Sequence, residues 1–95
     1  MSEGPINSAQ RWLTPDELKA GMDQQVVWDA NEGGGAEVTL MWGKVSGEFI
    51  VIRWRGGIKE LHRSRHDNIA EARVEFDRQV VAMIADKAVE ILTNA

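Results

Sequence analysis

Two histidines four residues apart, His62 and His66, fall in the stretch RWRGGIKELHRSRH (53–66) together with five of the chain's eleven lysines and arginines. On a helix that spacing would make a metal-binding pair. Here His62 is expected in a strand and His66 in a loop, and the arginines between them repel a cation, so no metal is assigned. Nucleophilic catalysis needs a serine, threonine or cysteine beside a base. Ser46 and Ser64 are expected in or near turns, no acid is evidently placed to orient a histidine, and the chain has no cysteine. Glu71 and Glu75 are i,i+4 neighbours on an expected helix, which reads as a solvated face. The run GGGAEVTLMWGKVS is glycine-rich, but Val38 stands where a phosphate-binding loop has its first glycine and Val45 replaces the magnesium-binding hydroxyl. The run also leads into a strand, and Glu32 and Glu37 would repel an anion. Nothing in these residues argues for an enzyme or a cofactor.

What remains is charge. The chain carries a formal net charge of −4, yet Arg53, Arg55, Lys59, Arg63 and Arg65 lie within one short segment. Residues 2–37 hold seven acids against Arg11 and Lys19. Such asymmetry suits a polar partner and is silent about fold. The expected partner is a protein with an acidic surface, met by the five basic residues, with Trp42 and Phe49 as apolar anchors of the kind that dominate interfaces. Tryptophan beside arginine can also hold single-stranded nucleic acid by stacking and phosphate contact, and that is the alternative. Trp42 and Trp54 are expected on opposite sheet faces, which denies them a shared stacking platform, and the acidic first third resists a duplex. A third reading is a hairpin whose outer face is merely kept soluble.

The elements that would position these groups are legible from caps and turns. Residues 1–10 are small and polar and are expected to be flexible; residues 11–95 make one α+β domain. In LTPDEL, Thr14 is an N-cap, Pro15 is N1, Glu17 closes a capping box, and Leu13 and Leu18 form a hydrophobic staple. A short helix over about 15–21, stopped by Gly21, follows. QQVVWDA, EVTLMWGKV, EFIVIRWR and IKELHR read as four strands. NEGGGAE forms a loose turn, and Ser46-Gly47 and Gly56-Gly57 form two-residue hairpins. That register sets Met41, Ile50, Ile52, Trp54 and Leu61 on one face of an antiparallel meander. Val38, Leu40, Trp42, Phe49 and Val51 take the other, with Arg53, Arg55, Glu60 and His62 towards its edge. Both faces are apolar, so each needs a cover.

The cover is a long C-terminal helix, N-capped by Asn68 with Glu71 at N3 and running to about Thr93. Phe76 and Val80 are expected to pack over Trp54. About 25 residues at 1.5 Å each give a helix of about 37 Å, whereas a strand spans about 17–20 Å. Leaving the overhanging Ile84, Val89, Ile91 and Leu92 in water forgoes about 6–12 kcal/mol in all, as much as the whole stability of many domains. A homodimer through these four residues is the expectation. MWGKV before a strand, with Ala72-x-x-x-Phe76 on the closing helix, resembles fragments of the WGR domain. An extra hairpin separates the fragments here and Lys44 stands where that domain has arginine, so no family is assigned. MSEGPINSAQ has neither the basic segment nor the apolar run of a signal peptide, and no stretch approaches the ~20 apolar residues that span a bilayer. A cytoplasmic protein making no membrane contact is therefore expected.

Overall fold

The computed structural model of the protein describes residues 13–22, 26–56 and 59–93. Their order is α1 (Pro15–Lys19), β1 (Val26–Gly33), β2 (Ala36–Trp42), β3 (Phe49–Arg55), β4 (Lys59–His66) and α2 (Ile69–Thr93). The strands form one open antiparallel sheet in the order β1-β2-β3-β4, so the architecture is α+β as the sequence indicates. The N-terminal ten residues, Trp12 and Gly57 lie outside the described residues.

Helix α1 begins with both halves of its capping box: the Glu17 amide donates to Thr14 Oγ1 at 3.2 Å and the Thr14 amide donates to Glu17 Oε1 at 2.8 Å. It ends at Ala20, and Gly21 turns the chain with φ of 86°. The Val45 amide donates to the Ala20 carbonyl at 2.9 Å, tying α1 to the β2–β3 loop. Gly43 permits that approach, since a Cβ there would lie 2.9 Å from Met22 Cε and 3.1 Å from the Ala20 oxygen.

The turns differ from the sequence expectation, and the differences cancel in an instructive way. β1 and β2 meet in a tight hairpin through Gly34 and Gly35, both at positive φ, where a loose turn is expected. The β2–β3 connection spans residues 43–48 and is closed by the Gly43 amide on the Glu48 carbonyl at 2.9 Å; it is not a two-residue turn at Ser46-Gly47. Met41 therefore pairs with Ile50, not with Ile52. That slip is two residues, an even number, so every side chain keeps its face. At the other hairpin Arg55 pairs with Lys59 and Trp54 with Glu60, a slip of one residue. An irregularity between Arg53 and Trp54, with Leu61 as the extra residue of β4, then restores the parity and sets Arg53 opposite His62. Glu60 consequently shares a face with Trp54, not with Arg53.

Each face builds its own core. Met41, Ile50, Ile52 and Trp54 pack with Leu13, Met22 and Ala20 from the α1 segment. Val38, Leu40 and Val51 pack with Ala72, Phe76 and Met83 of α2. Phe76 therefore does not cover Trp54, which is 1 % exposed beneath the other layer. The physical reason is that Leu13, Met22 and Ala20 already fill the Trp54 face, while Gln79 on the buried side of α2 finds Arg53 on the opposite face, its Oε1 accepting from Arg53 Nε at 2.7 Å. Asn68 caps α2 as expected, its Oδ1 accepting from the Glu71 amide at 2.9 Å. Trp28 of β1 adds a tilted ring contact to Phe76, with Arg73 4.2 Å above the Trp28 ring.

Candidate functional site

The basic segment becomes β4 and the end of β3, and alternation divides it between the two faces. Arg63 pairs with Ile52 and Arg65 with Ile50, which turns both towards α1. Arg63 Nη1 donates to both oxygens of Glu17, at 2.6 and 2.7 Å, and its other nitrogens donate to Glu60. Arg65 reaches Glu17 at 3.4 Å and Glu48 at 3.9 Å. Burial alone would raise the Glu17 pKa, but the Thr14 amide and the two guanidinium groups outweigh it and hold the carboxyl below its ordinary value. Burial likewise opposes the charge of Arg63, and Glu60 and Glu17 more than restore it.

On the opposite face, Arg53 Nε donates to Gln79 Oε1 at 2.7 Å and Nη1 to Asp86 at 3.0 Å. Arg55 pairs with Glu90 at 3.6 Å. Lys59, opposite Arg55, is exposed and has no ion-pair partner among the described residues. The four guanidinium groups sought as a partner-binding patch thus meet acids of their own chain. Nor do the apolar anchors share a patch with them: only Arg65 lies at their end of the sheet, and it is on the opposite face. Trp42 and Phe49 pair with each other at the other end of the sheet, half-buried, six residues and about 20 Å from Arg55 along β3.

His62 is a strand residue on the Arg53 face, as the sequence indicates, whereas Ser64 and His66 depart from the turn and loop expected of them. His62, Ser64 and His66 are alternate residues of β4 on the α2 side, so Ser64 is a mid-strand residue and His66 ends the strand. His62 Nε2 lies 3.3 Å from Glu75 and 2.9 Å from Ser64 Oγ, which in turn lies 2.7 Å from His66 Nε2. When His62 carries its proton on Nε2, Ser64 Oγ accepts from it and donates to His66 Nε2. Glu75 is no solvated face: it also accepts from Arg78 at 2.8 Å and Gln79 at 2.7 Å. A continuous polar seam therefore runs from His66 through Glu75 and Gln79 to Arg53 and Asp86. Burial, with Arg53, His66 and Arg78 nearby, lowers the His62 pKa against the pull of Glu75.

This seam is not a nucleophilic triad. Glu75 meets the same imidazole nitrogen as Ser64, so it does not orient the ring for proton abstraction. Among the described residues no group of three or more His, Cys, Asp or Glu could hold a metal ion. A cleft of about 160 Å³ opens between the β1–β2 hairpin, at Gly33 and Gly34, and α2, rimmed by Arg53, Arg55, Asp86, Lys87 and Glu90. Each of its cations faces one of its acids, Lys87 pairing with Glu90 at 3.5 Å.

The second candidate surface is the outer side of α2. Ile84, Val89, Ile91 and Leu92 are 49–76 % exposed, and Val81 is 66 % exposed. Beyond Met83 the helix meets the sheet through the polar side chains of Asp86 and Glu90. No helix among the described residues is long and apolar enough to cross a membrane. No family model, curated protein or solved structure matches the chain.

Sequence reasoning missed Glu17, Glu75 and Gln79. Glu17 carried one signal, the capping box, which fully accounts for a glutamate at N3 and hides its second role. Glu75 carried a weak one: it stands one residue before Phe76, on the border of the buried stripe.

Proposed function

We propose that the protein is a non-enzymatic protein-binding module that works as a homodimer through the second half of α2. The observation that carries this reading is the row of large apolar side chains left in water on the side of α2 away from the sheet. Single exposed leucines are ordinary, but a contiguous apolar patch on a small domain marks an interaction surface. The basic hairpin is a second, weaker surface in the same reading. Arg55 and Arg65, each 51 % exposed, hold their intrachain acids at 3.4 Å or more. Water already screens these pairs, so an acidic partner surface at the hairpin tip can recruit Arg55 together with Lys59, while Arg65, opposite Ile50 on the α1 face, is open to a separate contact. Nucleic-acid binding draws less support, because Trp54 is buried and Trp42 lies at the far end of the sheet from the basic tip. Light scattering on the wild type and on Ile84→Asp/Ile91→Asp tests the reading: the wild type is expected as a dimer, the variant as a folded monomer or an unfolded chain.

A further inference from the structure

Along α2, Val81, Ile84, Ala88 and Ile91 recur at spacings of three, four and three, with Ala85 and Leu92 beside them. All six are exposed, and at about 100° per residue they share one stripe turned away from Phe76 and Met83. Val89 falls on the flank of that stripe. This is the spacing with which one helix seats knobs into another. The sizes along it are not uniform: two alanines in the middle, larger side chains at both ends.

Resting on the dimer proposed above, we infer that the partner is a second copy of this chain with its α2 antiparallel, the two-fold axis passing between Ala85 and Ala88. The alanines then face alanines and let the helix axes approach at the short end of the usual 8–10 Å. Val81 packs against Leu92 of the second copy and Leu92 against Val81, the reciprocal pairing that a two-fold interface requires. The parallel arrangement is opposed by charge. Asp77 stands seven residues before Ile84 and fourteen before Ile91, in the register of the seam. Parallel helices would bury Asp77, paired with Arg73 at 3.0 Å, against Asp77 of the second copy and leave Ala88 facing Ala88 between layers of isoleucine. Antiparallel helices carry Asp77 past the end of the other α2 and oppose the two helix dipoles.

The natural absence of cysteine makes the test clean. In the antiparallel pair, residue 81 lies about 16 Å along the axis from its own counterpart, as does residue 92, while residue 85 is offset by only about 4–5 Å along the axis, to which the close approach of the helices adds a few ångströms across the seam. A disulfide needs Cα atoms about 4.4–6.8 Å apart. Under mild oxidation Ala85→Cys should cross-link to itself; Val81→Cys and Leu92→Cys should each stay reduced alone and cross-link when the two proteins are mixed. Cross-linking of Val81→Cys and of Leu92→Cys each to itself, without a mixed product, would mean a parallel dimer and overturn this inference while leaving the dimer intact. Monomeric mass for all variants and the wild type, with no cross-link, would overturn the dimer and this inference together.

Discussion

Glu17 and Arg63, 46 residues apart in the chain, are joined by two hydrogen bonds of 2.6 and 2.7 Å, and the Glu17 side chain is 2 % exposed. One carboxylate thus closes the N-terminus of α1 and fastens α1 to the edge strand β4. A five-residue helix has no stability of its own, so its position over Met41, Ile50 and Ile52 depends on this tie and on the Ala20–Val45 bond.

Removing the carboxylate should therefore cost more than removing the cap. Glu17→Ala takes away a buried ion pair, for which about 3–5 kcal/mol is the upper bound because Arg63 keeps Glu60, whereas Thr14→Ala should cost about 1 kcal/mol. Urea denaturation of the two variants measures the difference; equal losses would show that Glu17 acts only as a cap residue.

Trp54 and Arg55 are adjacent and should behave oppositely. Trp54→Ala empties a fully buried aromatic site and should cost about 3–5 kcal/mol. Arg55→Ala removes a half-exposed, 3.6 Å ion pair and should change stability by less than about 0.5 kcal/mol. A larger loss from Arg55→Ala in urea melts would mean that the two faces of the sheet are exchanged.

Stability should fall in two steps on acidification. The His62 pKa is depressed in the folded state, so the unfolded chain takes up that proton more readily. Its penalty begins as pH falls below the ordinary ~6.5 of histidine and is complete below the folded value. The Glu17 pKa is also depressed, so its contribution is full above the ordinary ~4.3 of glutamate and is lost as pH falls through the folded value. His62→Gln should remove the first step and Glu17→Gln should diminish the second, in thermal melts across this range. A first step unchanged in His62→Gln would assign it to another group.

The fold was legible in the sequence wherever a local signal had one cause. The Thr14–Glu17 box, the Asn68 cap and the alternation of β3 each fixed an element or a face. Loop lengths were not legible: Ser46-Gly47 resembles a two-residue turn but belongs to a longer loop, because the Gly43 amide finds Glu48. The faces survived because side-chain parity ignores an even slip, and the irregularity at Leu61 repaired the odd one. The site was less legible than the fold. The basic segment stood out by composition, but its partners Glu17, Gln79, Asp86 and Glu90 are distant in sequence, and only the packing of two helices on opposite faces brings them in. A cluster of charge in a sequence does not say whether its counter-charge lies on another molecule or on its own chain.

Because the arginines are committed within the chain, no sub-micromolar affinity for DNA or RNA is expected at ~0.15 M salt, where exposed charges more than ~8 Å apart are screened. Titration of labelled single-stranded DNA and RNA checks this. Tight binding with a steep salt slope would give the basic segment to nucleic acid instead.

The most direct test of the central proposal is the mass of the wild-type protein by size-exclusion chromatography with light scattering, from low to high micromolar concentration. A species near twice the 10.6 kDa of the chain is expected, falling to the single-chain mass in Ile84→Asp/Ile91→Asp. A wild type that stays at 10.6 kDa across the whole range would contradict the proposal, leaving the outer face of α2 an exposed apolar surface without a second copy to cover it.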